Sequence, residues 1–343
     1  MKNTNLTICN ATIHPGETAH LALPLPELYS CTSFYMPIKV VHGRKKGPCL
    51  LIFSAVKGEE LNGIEIINRL LLSLSQQICG TLILVPILNI FGLVAQSKGL
   101  PQEMSLDGCF PGAAHGSYGE RLAHIFTQEI LCKANYCIEL QTGSLNHDLL
   151  PQIYCNQSDA ETVKLAQQFA APVITNINTV KNSLQQITEQ LNIPLLVYRA
   201  GEAMRFNEAA IKLGISGIHN IMRSLGILGS TPQEVSQETS FKPVFSQDQD
   251  WLRAHRSGVL FSEVELGQMI LKGQIIGRIN DPFSSSSSES VQASQDGIVV
   301  GINRHPLIHE GQTIFKIASF IDNSRAQNEL EMWNDNQEFA YDN

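Results

Sequence analysis

The densest run of chemically capable side chains is SAVKGEELNGIEI (54–66), where Lys57, Glu59 and Glu60 follow an apolar stretch and turn on Gly58 into a helical pattern. A lysine held in a cleft can act as a nucleophile once desolvation lowers its pKa. With a glutamate three residues on, the plainer expectation is an ion pair between Lys57 and Glu60. His115 and His124 flank a helix start and could join Glu60 or Asp107 in an improvised metal site, although a Gly-rich turn and a packed helix face account for both. His305 and His309 fall in HPLIH, far along the chain, and read as surface or loop residues. The eight cysteines form no CxxC pair, so neither a zinc ribbon nor a redox motif is indicated, and reduced, mostly buried thiols are expected.

The elements that must position these groups alternate. Apolar runs at 37–42, 49–56, 81–87, 136–140 and 194–198 suit buried strands. Between them, residues 61–75, 117–131, 160–170, 207–213 and 215–225 carry helical periodicity. Alternation over some two hundred residues predicts an α/β sheet covered on both faces. Residues 229–248 are polar with two prolines and read as a connector. From Trp251 to Ala318 short β-like segments with spaced glycines predict a small barrel or sandwich, within which FSSSSSES (283–290) reads as a mobile loop. The last residues, from Asp322, read as either a frayed tail or a weak amphipathic helix around Leu330 and Trp333.

Composition narrows the partners. The chain has 343 residues, 43% of them hydrophobic and 16% charged, which fits an ordinary globular protein of roughly two domains. A net charge of −8, from 32 acidic and 24 basic residues, supplies no footprint for nucleic acid or an anionic membrane. The N-terminus lacks the apolar core of a secretory signal, and the longest apolar stretch, 82–95, is broken by Pro86 and Asn89. A cytoplasmic protein is expected, and a homo-oligomer is left open.

Five ordered blocks carry a family resemblance. The segment at 54–66 resembles the GxHGxExNG signature of the succinylglutamate desuccinylase/aspartoacylase family. VPILNIFGLVAQSKGLP (85–101) resembles VPxxNxxGFxxxxRxxP, and SLDGCFPG (105–112) resembles DLNRxFPG. ELQTG followed by LPQIY (139–143, 150–154) resembles DLHTG followed by LPxIR, and YRAGEAMRF (198–206) resembles LELGEALRF. Residues 257–283 are similar to the family's C-terminal domain. The resemblance implies a zinc-carboxypeptidase-like mixed sheet with helices on both faces and a C-terminal small β-barrel or sandwich domain. The implied organisation is an N-terminal β-rich segment (1–29), the α/β domain (30–228), a linker (229–248), the β domain (249–320) and an acidic tail (321–343).

The family implies amide hydrolysis of N-acyl amino acids at a zinc ion held by two histidines and a glutamate, with an open position for water. Carried over, the first histidine falls on Lys57, the glutamate on Glu60 and the second histidine on Gln141. A protonated lysine has no lone pair, and a glutamine carbonyl is a donor that zinc rarely selects. The family's general-base glutamate falls on Arg199, a permanent cation. Glu202, three residues on, would point to the opposite face of an extended segment. The substrate-contacting asparagine and arginine become Asp107 and Gly108, the arginine of LPxIR becomes Tyr154, and the basic residue after the second zinc histidine becomes His147. Asp107, Glu139 and Glu60 could form an oxygen-only set for Mg²⁺ or Ca²⁺, but Lys57 and Arg199 would oppose it.

One regularity links the replacements: two monocations, Lys57 and Arg199, stand where the family keeps a dication, and Glu60 gains a partner that a buried carboxylate requires. The leading expectation is therefore a pseudoenzyme without zinc or another cofactor, binding a small anionic ligand or a partner through Lys57, Glu60, Asp107, Gln141, His147, Tyr154 and Arg199. Two other readings stay open. One is an active hydrolase of N-acyl amino acids or esters with an atypical site. The other is a structural or assembly protein with a vestigial cleft, making contacts through the acidic tail and Trp333.

Overall fold

The computed structural model describes residues 2–27, 33–74, 78–101, 104–229, 241–283 and 288–339, with side chains placed as far as residue 335. Continuous apolar runs become strands buried on both faces: in Lys45–Ser54 the last six residues are all buried, and in Cys79–Val85 the last six are too. These two strands and Tyr136–Gln141 and Leu195–Gly201 lie side by side and parallel. They form the middle of a twelve-stranded mixed sheet. Tyr35–His42 and Thr18–Pro24 extend one edge antiparallel. On the other side follow His147–Cys155, Val173–Asn176, Val244–Arg253, Thr313–Phe320, Gly297–Asn303 and Met269–Ile270.

Helices cover both faces. Leu61–Ser73, Ala160–Phe169 and Glu208–Ser224 bury Ile66, Leu70, Leu165, Phe169, Ile211 and Ile218 in one core. On the opposite face Tyr118–Glu129, started by a capping box between Ser117 and Glu120, buries Leu122 and Phe126 against Phe53 and Val85. The two helices expected at 207–213 and 215–225 are one. Gly214 does not break it; a Cβ there would lie 2.6 Å from Ile66 Cδ1 and 3.1 Å from Tyr198 Cε1, so the glycine serves close packing.

The C-terminal part is a sandwich. A four-stranded sheet of Ser288–Gln292, Ile275–Asn280, Gly258–Ser262 and Leu307–Ile308 closes a core shared with the Gly297–Asn303 and Thr313–Phe320 strands of the main sheet. The β part and the α/β part are thus joined through one continuous sheet. Residues 244–248, expected as the end of a linker, begin the Val244–Arg253 strand, which runs parallel to Val173–Asn176; residues 230–240 lie outside the described residues. Ser288–Ser290, expected in a loop, pair with Arg278–Asn280 register partners in a strand, and residues 284–287 lie outside the described residues. The tail is a helix, Asn323–Phe339, whose Leu330 and Trp333 are buried in the protein's own core. Among the described residues no helix is long and apolar enough to cross a membrane.

Candidate active site

Open α/β sheets place ligands beyond the carboxyl ends of their strands. Here the strands Lys45–Ser54, Tyr136–Gln141 and Leu195–Gly201 run parallel and deliver Lys57, Gln141 and Arg199 to one edge. The first turn is tight: a Cβ on Gly58 would sit 1.8 Å from the carbonyl carbon of Gly92, so only glycine lets it lie against the Ile90–Ala95 helix. Register does the rest. Arg199 is opposite Gln141 on one neighbour and Gln152 on the other.

Two of the replaced positions, Arg199 and Gln141, are bonded to each other. Arg199 Nε donates to Gln141 Oε1 at 2.9 Å, and Nη2 donates to the same oxygen. Gln141 Nε2 in turn donates to Glu139 Oε1 at 2.5 Å, and Glu139 Oε2, fully buried, has no hydrogen-bond partner. The guanidinium carbon lies 4.6 Å from the centroid of the Tyr154 ring. Lys316 Nζ lies 5.6 Å from the same centroid and donates to Tyr154 Oη at 3.1 Å.

Lys57 corrects the sequence reading. Its ammonium is 3.8 Å from Asp107 Oδ2, while its backbone N–H, at 3.2 Å, supplies the bond to Glu60 Oε2. Glu60 is only 2% exposed, and burial pushes its carboxyl up to about 8, against the opposing pull of the Lys57 charge. Burial likewise pushes Glu139 up to about 7, with the Asp107 charge adding to the rise. Burial thus favours the neutral form of Glu60 beneath the cleft, so protonation and the Lys57 N–H, rather than an ion pair with the Lys57 ammonium, ease the cost of burying this carboxyl. Glu202 is held by Arg205 at 3.1 Å and by the Asn146 N–H at 3.3 Å, and it lines neither of the cavities that Arg199 lines.

Two cavities of about 310 and 300 Å³ meet at Lys57 and Arg199. Asp107, Gln141 and Tyr154 line the first. The second reaches the β part and adds Lys98, His147, Trp251, Thr313 and Lys316. His147 faces it as expected, with Nε2 2.8 Å from Thr313 Oγ1 and its ring edge-on to Trp251. Lys98, Trp251 and Lys316 were missed in the sequence: Lys98 stands at the arginine position of the VPxxNxxGFxxxxRxxP block, which was the available signal for it, whereas Trp251 and Lys316 lie outside the five blocks. A larger hollow of about 520 Å³ nearby contains no basic residue and none of the motif positions. His115 and His124 line none of these cavities.

Among the described residues no three of His, Cys, Asp and Glu lie close enough to hold a metal ion. Gln141 Oε1, the atom nearest in role to the second imidazole, already accepts two N–H groups from a cation. The residues present do not fit a catalytic zinc, which requires three good donors and an open position, nor do they gather Asp107, Glu139 and Glu60 into an oxygen cage.

The profile of the succinylglutamate desuccinylase/aspartoacylase catalytic domain matches residues 46–225, which hold every position of this site except Lys316 and its β-part neighbours. The chain belongs to this family. A curated relative, the N-alpha-acetyl-L-2,4-diaminobutyric acid deacetylase of Halomonas elongata, is 24% identical over 313 residues, covering 88% of this chain and 91% of the relative. Two solved structures share the fold at a TM-score of 0.78 each. One is a succinylglutamate desuccinylase/aspartoacylase from Rhodobacter sphaeroides, 20% identical, covering 88% of this chain and 96% of its own. The other is the product-bound ectoine utilization protein EutE (DoeB) from Ruegeria pomeroyi, 21% identical, covering 88% and 95%. Family membership thus comes with a hydrolase fold, and the family's zinc-carboxypeptidase-like sheet is the one described above.

Proposed function

We propose that this aspartoacylase-family protein has given up zinc-dependent amide hydrolysis and binds a small anionic ligand in the cleft between its α/β and β parts. The observation that carries the reading is the bond from Arg199 to Gln141. A residue meant to take a proton from water and a residue meant to hold the metal now satisfy each other, so neither is free for its ancestral task. The cleft that remains carries Lys57, Lys98, Arg199 and Lys316 on its walls, with Asp107 as the carboxylate among its lining residues. A cleft with that charge balance attracts anions and disfavours cations. The proposal keeps the cytoplasm as its compartment, on cysteines that are free wherever they are described.

Trp333 is buried within the fold, so the tail's tryptophan is not presented for contacts. Turnover of N-acyl amino acids with zinc supplied, and a thermal-shift screen of carboxylates and phosphates, test the reading together. It predicts no zinc-dependent turnover and a melting temperature raised by anions, because a ligand that binds only the folded state stabilises it. Zinc-dependent hydrolysis at rates ordinary for an enzyme would refute it.

A further inference from the structure

The Tyr154 ring is shared by two cations from different parts of the fold. Arg199 comes from the Leu195–Gly201 strand and Lys316 from Thr313–Phe320, within 4.6 and 5.6 Å of the ring centroid. Both are half-buried, both line the same cavity of about 300 Å³, and among the described residues neither has a carboxylate within ion-pair distance. The other two cations of that cavity differ: Lys57 lies 3.8 Å from Asp107, and Lys98 lies 3.8 Å from Glu59.

The pair is built into the sheet. Lys316 stands in register between Trp251 and Gly301 on the two adjoining strands. A Cβ on Gly301 would lie 2.9 Å from Lys316 Cβ and 3.1 Å from Trp251 Cη2, so glycine makes the room in which the lysine stem and the indole lie together. Tyr154 Oη donates to Gln249 Oε1 at 3.2 Å while accepting from Lys316, which fixes the ammonium in place. Arg199 uses two of its five N–H groups on Gln141, which leaves three for a ligand. Two half-buried cations on one ring, neither of them ion-paired among the described residues, repel each other; Glu60 and Glu139 act on the Arg199 charge only from beyond ion-pair distance, and a monoanion can neutralise only one of the two cations.

We infer that Arg199 and Lys316 form a two-cation clamp for a compact dianionic head group, either a phosphate monoester or two carboxylates on one carbon. This deepens the proposed anion site and rests on it: it names the charge the ligand must carry and assigns the β part a binding residue. The arginine fork takes two oxygens of the head and the lysine the remaining charge.

Calorimetric titration of the full chain with inorganic phosphate, malonate and acetate tests the clamp, in the native protein and in Lys316→Met and Lys316→Arg. The expected result is that at least one dianion binds, that Lys316→Met weakens it about tenfold or more, and that Lys316→Arg restores most of the affinity. Acetate should be changed by less than about threefold, since one cation suffices for it. Phosphate tighter than malonate identifies the head as a phosphate monoester, and the reverse order as a dicarboxylate. A dianion that binds no better than acetate, or that is indifferent to Lys316→Met, overturns the clamp while leaving an anion site in place. No binding by any of the three overturns both the clamp and the proposed function. Unchanged melting of the variants without ligand shows that the comparison reads the clamp and not the fold.

Discussion

Removing the Arg199 guanidinium should expose how completely the former base and ligand positions have become a structural unit. In Arg199→Met, Gln141 Oε1 loses both of its donors in a site only 5% exposed. An unsatisfied buried acceptor costs about 1–3 kcal/mol. Loss of the guanidinium from the Tyr154 ring costs roughly a further 0.5–2 kcal/mol. The methionine stem recovers part of this by burial, so a net destabilisation of about 2 kcal/mol is expected. Urea unfolding should show a lower midpoint at an unchanged slope, the sign of lost stability without altered compactness. The decisive reading is the cycle with Gln141→Leu. Once the acceptor is gone, the donor's removal should matter less, and the double variant should fall short of the sum of the singles by about 1 kcal/mol or more. Additivity within about 0.5 kcal/mol would show that the two side chains do not act as a pair, and the reasoning from their geometry would fail.

Stability should also fall as pH rises through neutrality. Glu60 and Glu139 have folded values raised to about 8 and about 7 by burial, so the unfolded chain releases these protons first and the stabilising contribution is full only below the unfolded carboxylate value. Unfolding free energy should decline between about pH 5 and 8, by at most about 1.4 kcal/mol per unit for each group, and Glu60→Gln should flatten the decline; a rise over that range would contradict the burial argument. Gly58→Ala should cost more than about 2 kcal/mol by urea unfolding, because the new methyl would meet the Gly92 backbone at 1.8 Å. The triple change Lys57→His, Gln141→His and Arg199→Glu should gain zinc binding by equilibrium dialysis, since it supplies two imidazoles beside Glu60. A folded triple variant that binds no zinc would show that these positions do not converge as described.

The central strands could be read from the sequence because buried parallel strands carry continuous apolar runs, and 49–56, 136–140 and 194–198 do. His147–Cys155 could not: Pro151 sits inside it, and proline argues against a central strand even where, as here, neighbours pair on both sides. Lys57, Gln141, Tyr154 and Arg199 converge because each belongs to a motif at a strand end. The partner of Lys57 was misjudged because Glu60 is close in sequence, whereas Asp107 reaches the ammonium only through the fold. Lys98 was legible, at the arginine position of its block, and was passed over; Lys316 was not. Nothing local to TIFKIASF announces that its lysine will lie beside Tyr154, because that meeting depends on strand pairing between the middle of the chain and its C-terminal part.

The account turns on cations having taken the place of the metal. Protein produced in zinc-supplemented medium and dialysed without chelator should contain well below one zinc per chain by elemental mass spectrometry. One zinc per chain, with an anomalous zinc peak beside Glu60 in a crystal, would contradict it.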